Sequence, residues 1–316
     1  MQGLIGVTRI YWKHAAILLA TGLLLQLATL HSGAQDEPKR PRITGIDHVR
    51  LYVSDIEKSR NFYAKSVGLG FTVGVACRTV AYPCFPVNRT GQIELEAASS
   101  PPPKNWVAEI AYATDDVDQM RRYVLAHKVD ASPIVTDPNG ARHFELRDPE
   151  GNLVSFIHRT VVYKEWRTFD NQVGTRLLHA GFVVKDRAAE NKFYVDLLGF
   201  HLYWYGGFKD DGVDWYELQV PDGDNWIEYM LNIPATADHK ALGAQNHFSF
   251  GVKEIEAAAA QLRKNGAEKI AGPGIGRDGK RGLNVYDPDD TRVEVTEFTP
   301  AREPCCHPYT AAHPTP

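Results

Sequence analysis

The stretch Ile43-Thr-Gly-Ile-Asp-His-Val-Arg-Leu-Tyr-Val53 leads into Ser54-Asp-Ile-Glu-Lys58 and then Asn61-Phe-Tyr-Ala-Lys-Ser-Val-Gly-Leu-Gly-Phe71. Its opening alternates as a strand does. Ser54 or Asp55 offers a helix N-cap, Phe62, Tyr63 and Val67 form an apolar helical stripe, and Gly68 stops the helix. The same frame returns at Leu177-Leu-His-Ala-Gly-Phe-Val-Val184, Lys185-Asp-Arg187 and Asn191-Lys-Phe-Tyr-Val-Asp-Leu-Leu-Gly-Phe200. His48 precedes Phe62 by 14 residues, and His179 precedes Phe193 by 14. Each histidine precedes its helix-ending glycine, Gly68 or Gly199, by 20. Equal spacings repeated 131 residues apart mark an internal duplication.

A second kind of unit follows each of these. Trp106 to Val117 alternates into a helix from Met120 to Ala126 and closes with Asp148-Pro-Glu-Gly-Asn-Leu-Val-Ser-Phe-Ile157. Its partner begins Gln245-Asn-His-Phe-Ser-Phe-Gly-Val252, with His247, Ser249 and Gly251 on one face. A helix around Ile255–Leu262 and the stop Asn265-Gly266 follow, and Asp287-Pro-Asp-Asp-Thr-Arg-Val-Glu294 closes it. Glu109 to Val117 and His247 to Ile255 each span 8 residues, and Asp148 to Ser155 and Asp287 to Glu294 each span 7. The chain therefore reads as α+β: four βαβββ modules in two domains, residues 43–160 and 176–299, joined by a linker at 161–175.

The openings "IDHVRLYVSDIEKSRNFYAKSVGLGF" and "HAGFVVKDRAAENKFYVDLLGF", with the closings "DPEGNLVSFI" and "DPDDTRVEV", resemble the vicinal oxygen chelate superfamily. That group includes glyoxalase I, bleomycin resistance proteins and type I extradiol dioxygenases. The resemblance implies paired modules forming half-open β-barrels, with one divalent metal ion (Fe, Zn, Ni or Mn) on a concave floor. Ligands would come from the first and closing strands of each module: His48 and Glu94, Glu109 and Ser155, His179 and Glu228, His247 and Glu294. Glu109 stands where a histidine is usual and Ser155 where a carboxylate is usual, so the N-terminal domain is expected to hold a degenerate site. Imidazole and carboxylate suit these metals, and two histidines with one carboxylate leave positions open for substrate oxygens.

Two module pairings stay open. Pairing within domains gives His179, His247 and Glu294, with Glu228 as fourth ligand or catalytic base. Pairing the first module with the fourth gives His48, Glu94, His247 and Glu294, and such crosswise pairing also permits a homodimer. The resemblance implies a small substrate with vicinal oxygens and lyase or isomerase chemistry. Alternatives are an extradiol-type dioxygenase using Fe(II), and a non-catalytic binding protein. For the dioxygenase, Asn284 stands where the family carries a catalytic tyrosine, and the usual upstream histidine is missing from 276–281.

Composition sets further bounds. The 316 residues are 43% hydrophobic with a net charge of −4, which does not recommend nucleic acid as a partner. Arg9 and Lys13 precede the apolar run Ala15–Leu25, and small residues lead to Ala34. Residues 1–34 thus read as a secretory signal peptide, alternatively an uncleaved membrane anchor, followed by a polar linker at 35–42. The chain is expected to be exported, without membrane insertion once cleaved. Cys77 and Cys84 could pair, while Cys305 and Cys306 could bridge elsewhere or bind metal with His307 and His313. The Pro-rich tail 300–316 is expected to be disordered. Tyr203, Trp204, Tyr205, Trp215 and Tyr216 could line a bowl or fill a core, and the glycine-rich 272–282 reads as a mobile loop.

Overall fold

The computed structural model describes residues 38–70, 82–160 and 168–316. The signal segment, residues 161–167 of the linker and Cys77 lie outside the described residues, and with Cys77 the expected pairing to Cys84. Among the described residues no helix is long and apolar enough to cross a membrane.

Four modules follow one another. The first holds β1 (Ile43–Val53), α1 (Ile56–Asn61), β2 (Cys84–Pro86) and β3 (Gln92–Ala97). The second holds β4 (Val107–Thr114), α2 (Val117–Ala126), β5 (Val135–Thr136), β6 (Arg142–Arg147) and β7 (Leu153–His158). The third runs β8 (Arg176–Val183), α3 (Arg187–Asn191), β9 (His201–Gly206), β10 (Trp215–Gln219) and β11 (Trp226–Met230). A short helix, α4 (His239–Gln245), leads to the fourth: β12 (His247–Val252), α5 (Ile255–Lys264), β13 (Ile270–Ile275), β14 (Arg281–Tyr286) and β15 (Arg292–Glu297).

The modules join in pairs through their first strands. The N-terminal sheet runs β2-β3-β1-β4-β7-β6-β5, and the C-terminal sheet β13-β14-β15-β12-β8-β11-β10-β9. At each centre two first strands run antiparallel, β1 against β4 and β8 against β12. Each is flanked by its own module's closing strand in parallel, so four strands form each floor. The central strands are buried along nearly their whole length, which is why they read as apolar runs broken only by the site residues.

Helix starts follow the sequence closely. Asp55 accepts from the N–H groups of Glu57 and Lys58, and Asp186 from that of Ala189, each satisfying donors the first turn leaves free. Both helices then continue as a π turn, Phe62–Ser66 and Lys192–Leu197, and end at Gly68 and Gly199. These glycines have φ of 78° and 79°, a left-handed conformation that a Cβ would strain.

Modules 1 and 4, and modules 2 and 3, do meet crosswise, but through their helices. Tyr63 Oη donates to Asp287 Oδ2 at 3.0 Å, and Tyr194 Oη to Asp148 Oδ2 at 3.2 Å. Ser54 N donates to Asp289 Oδ2 at 2.9 Å, matched by Lys185 N and Asp186 N donating to Glu150 Oε1 at 2.6 and 2.8 Å. Each domain's Asp-Pro turn thus receives the other's first helix.

Two expectations about flexible segments are corrected. The stretch 272–282 is no loose loop: β13 and β14 form an antiparallel hairpin, and only 276–280 turns between them. The tail is packed. Tyr309 lies 4.7 Å from the Tyr203 ring, and Thr310 N donates to Tyr203 O at 3.0 Å. Cys305 and Cys306 are bonded to each other, so they neither bridge elsewhere nor join His307 and His313 as metal ligands. Buried aromatic surface on β9 holds the tail against the hairpin turn, where Cys305 N donates to Arg277 O at 2.8 Å.

Candidate metal centre

The C-terminal floor brings together His179 from β8, Glu228 from β11, His247 from β12 and Glu294 from β15. The sheet register makes this possible. Gly181 pairs with both His247 and Glu228, and Ser249 with both His179 and Glu294, so all four side chains leave one face in two adjacent rows.

The donor atoms converge. His179 Nε2 lies 3.1 Å from His247 Nε2 and 3.2 Å from Glu294 Oε2. Glu228 Oε2 lies 3.1 Å from His247 Nε2 and 3.8 Å from His179 Nε2, and Glu294 Oε2 lies 3.5 Å from His247 Nε2. An ion bound at about 2.0–2.2 Å sets its neighbouring ligands about 3.0–3.5 Å apart, so His179, His247 and Glu294 are spaced to hold a divalent ion, and Glu228 meets that spacing toward His247. His247 Nδ1 lies 2.9 Å from the carbonyl of Gln245, a contact that orients the ring with Nε2 toward the other three.

Gly181 is required by the same geometry. A Cβ there would stand 2.1 Å from Cε1 and 2.5 Å from Nδ1 of His247, so the imidazole occupies the space a side chain would need.

The electrostatics follow from burial and charge. Burial opposes ionisation of Glu294, but hydrogen bonds from His179 and His247 outweigh it and hold the carboxyl well below its usual range. Glu228 is likewise lowered against burial, chiefly by His247. Burial lowers His179; at His247 burial and Arg292 act the same way, yet the two carboxylates prevail and raise it.

Above this cluster lies a cavity of about 230 Å³, walled on one side by Trp204, Trp215 and Trp226. Glu217, Arg277, Asp278, Asn284 and Arg292 supply its polar lining. The aromatic run therefore divides: Trp204 and Trp215 face the cavity, Tyr203 is buried beside Trp226, and Tyr205 stacks on Tyr216. Lys280, absent from the sequence reading, is buried with Nζ 4.1 Å above the Trp226 ring. Its place in a turn between glycines gave no sign of burial.

The crosswise set His48, Glu94, His247 and Glu294 does not assemble. His48 and Glu94 lie in the other sheet, where the N-terminal floor is filled from within. Arg50 NH2 is 2.5 Å from Glu109 Oε2, and Arg50 Nε is 3.2 Å from Glu94 Oε2. His48 Nε2 lies 3.6 Å from Glu94 and 3.7 Å from Glu109, and Ser155 donates to Glu109. Burial works against the Arg50 charge, but Glu109 and Glu94 prevail and hold it above its ordinary value. His143 on β6 is buried with Nδ1 3.5 Å from Asp137, and His158 ends β7 with Nδ1 3.1 Å from Thr114 O, so neither joins the cluster of either floor.

Comparison with known proteins agrees with this architecture. A family model described as Glyoxalase/Bleomycin resistance protein/Dioxygenase superfamily matches residues 45–156 and 176–295. The uncharacterized protein YwbC of Bacillus subtilis (strain 168) is 32% identical over 126 residues, spanning 36% of this chain and 97% of that protein. Among solved structures, a variant of homoprotocatechuate 2,3-dioxygenase from Brevibacterium fuscum superposes with a TM-score of 0.65 at 18% identity, over 87% of this chain and 75% of that one. The same enzyme in complex with 3,4-dihydroxyphenylacetate gives a TM-score of 0.61 at 18% identity, over 82% of each chain.

Proposed function

Since this chain belongs to the Glyoxalase/Bleomycin resistance protein/Dioxygenase superfamily, we propose that it is a metal-dependent enzyme that grips a small substrate by vicinal oxygens and shifts a proton on it, in a lyase- or isomerase-type reaction. The convergence of His179, Glu228, His247 and Glu294 carries this reading. His179, His247 and Glu294 would hold one divalent ion, with Glu228 as fourth ligand or base; imidazole and carboxylate donors suit Fe, Zn, Ni or Mn. When bound, the ion supplies Lewis acidity to a substrate oxygen. Glu228 lines the cavity and is held ionised, so it can take a proton from the substrate carbon and return it. The three tryptophans exclude water and strengthen each charge interaction within. Residues 1–34 support export, which N-terminal sequencing of the mature protein would test.

An extradiol-type dioxygenase using Fe(II) is the second reading. It is supported by the Brevibacterium fuscum enzyme, whose fold is shared over 82% of this chain and which was crystallised with 3,4-dihydroxyphenylacetate. Asn284 in place of the expected tyrosine weighs against it.

The test is elemental analysis of protein purified without chelator, beside Glu294→Gln. The expected result is about one equivalent of metal in the parent and little in the variant. Zinc, nickel or manganese, with solvent deuterium entering the substrate, supports proton transfer. Iron with oxygen uptake on catechols supports the second reading. No metal in either protein, even after reconstitution, overturns both and leaves a bowl that binds without turnover.

A further inference from the structure

Resting on this metal-centre reading, we infer that Arg292 is the specificity residue of the site and that the substrate carries a carboxylate-like anion beside its chelating oxygens. Arg292 and Glu294 are two positions apart on β15, so both project from one face into the cavity. The guanidinium NH2 lies 2.8 Å from both ring nitrogens of His247, and Arg292 Nε is buried with no hydrogen-bond partner. The other guanidinium in the wall, Arg277, is engaged by Asp210 and by the carbonyl of Gly207. No ion pair involving Arg292 is formed among the described residues.

That arrangement cannot persist beside a divalent ion. Arg292 NH2, equidistant from Nδ1 and Nε2, stands over the ring face of His247, so an ion held at Nε2 would put two cations side by side. Arg292 must then turn to an acceptor, and its strand position leaves the cavity as the direction open to it. A guanidinium fork matches a planar carboxylate, whereas a neutral ligand would leave a desolvated cation unpaired.

Oxamate and oxamide test this, being nearly isosteric probes with vicinal oxygens, one anionic and one neutral. Calorimetric affinities for both are measured on metal-loaded parent, Arg292→Met and Arg292→Lys, with metal content determined in parallel. The expected result is an oxamate-to-oxamide ratio that falls about tenfold or more in Arg292→Met, recovers in part in Arg292→Lys, and leaves metal content unchanged. A ratio unchanged in Arg292→Met overturns the inference, as does a parent that binds neither probe. Metal lost from both variants also overturns it, since Arg292 would then be a support for His247. A parent that takes up no metal overturns the underlying metal-centre reading instead, and this inference with it.

Discussion

Two residues after its first histidine, the C-terminal floor carries Gly181 and the N-terminal floor carries Arg50. The two positions are equivalent in register. Arg50 pairs with Glu94 and Glu109 as Gly181 pairs with Glu228 and His247. Where the residue has no side chain, an imidazole lies across it and four donors face a common point. Where it is arginine, a guanidinium enters that space and is held by the two neighbouring carboxylates. On the proposed reading one floor would receive a cation, and the other has a cation built in. Degeneracy of the N-terminal site is therefore a substitution of one positive charge for another, and the buried carboxylates there remain compensated.

The largest effect should come from forcing the C-terminal floor to resemble the other. In Gly181→Arg the guanidinium should take Glu228 as Arg50 takes Glu94, and metal content should fall to about a tenth of an equivalent or less while circular dichroism stays native. Full metal content in that variant would break the equivalence. The converse change removes the internal cation. Arg50→Met leaves Glu94 and Glu109 buried without their partner and should cost about 3–5 kcal/mol in urea unfolding, more at neutral than at acid pH, with metal content unaltered. A loss below about 1 kcal/mol would mean that the N-terminal floor does not depend on its cation.

The smallest effect concerns the contacts the floors do not share. Burial outweighs the hydrogen bonds to Asp287 and raises it to about 7, and it raises Asp148 to about 6. A carboxyl raised on folding stabilises most below its unfolded value near 4, and that stability is lost as pH rises through the folded value. Asp287→Asn should therefore gain on the parent by about 2 kcal/mol between pH 4 and pH 8. A pH-independent difference between the two proteins would remove Asp287 from that account.

Much of this was legible in the chain. The spacing from His48 to Gly68 and from His179 to Gly199 fixed the helices, and the matched Asp-to-closing-residue spacings put Glu294 and Ser155 on equivalent strands. The four C-terminal site residues could be named, but the module pairing could not, because both pairings use the same strands and only the sheet order separates them. Arg50 was missed although a signal existed. Laying the two repeats over each other sets it against Gly181, and a charged residue between two inward glutamates asks for an explanation. The tail misled for a different reason. Proline-rich composition argues against helix and strand, but it says nothing of whether Tyr309 finds Tyr203 and His313 to pack on.

The crosswise contacts give the tandem arrangement a meaning that the floors alone do not. A chain carrying only one half would present, on a single surface, a buried tyrosine seeking an acceptor and an Asp-Pro turn seeking a donor. Such self-complementary patches lead to twofold pairing of separate copies, at an affinity set by their concentration. Joining the halves makes the encounter intramolecular, so the paired form persists at any dilution. Once tethered, the two copies need not remain identical. One can give up its cation site to an arginine while the other keeps the donors, a division that a symmetric pair encoded by one sequence could not make.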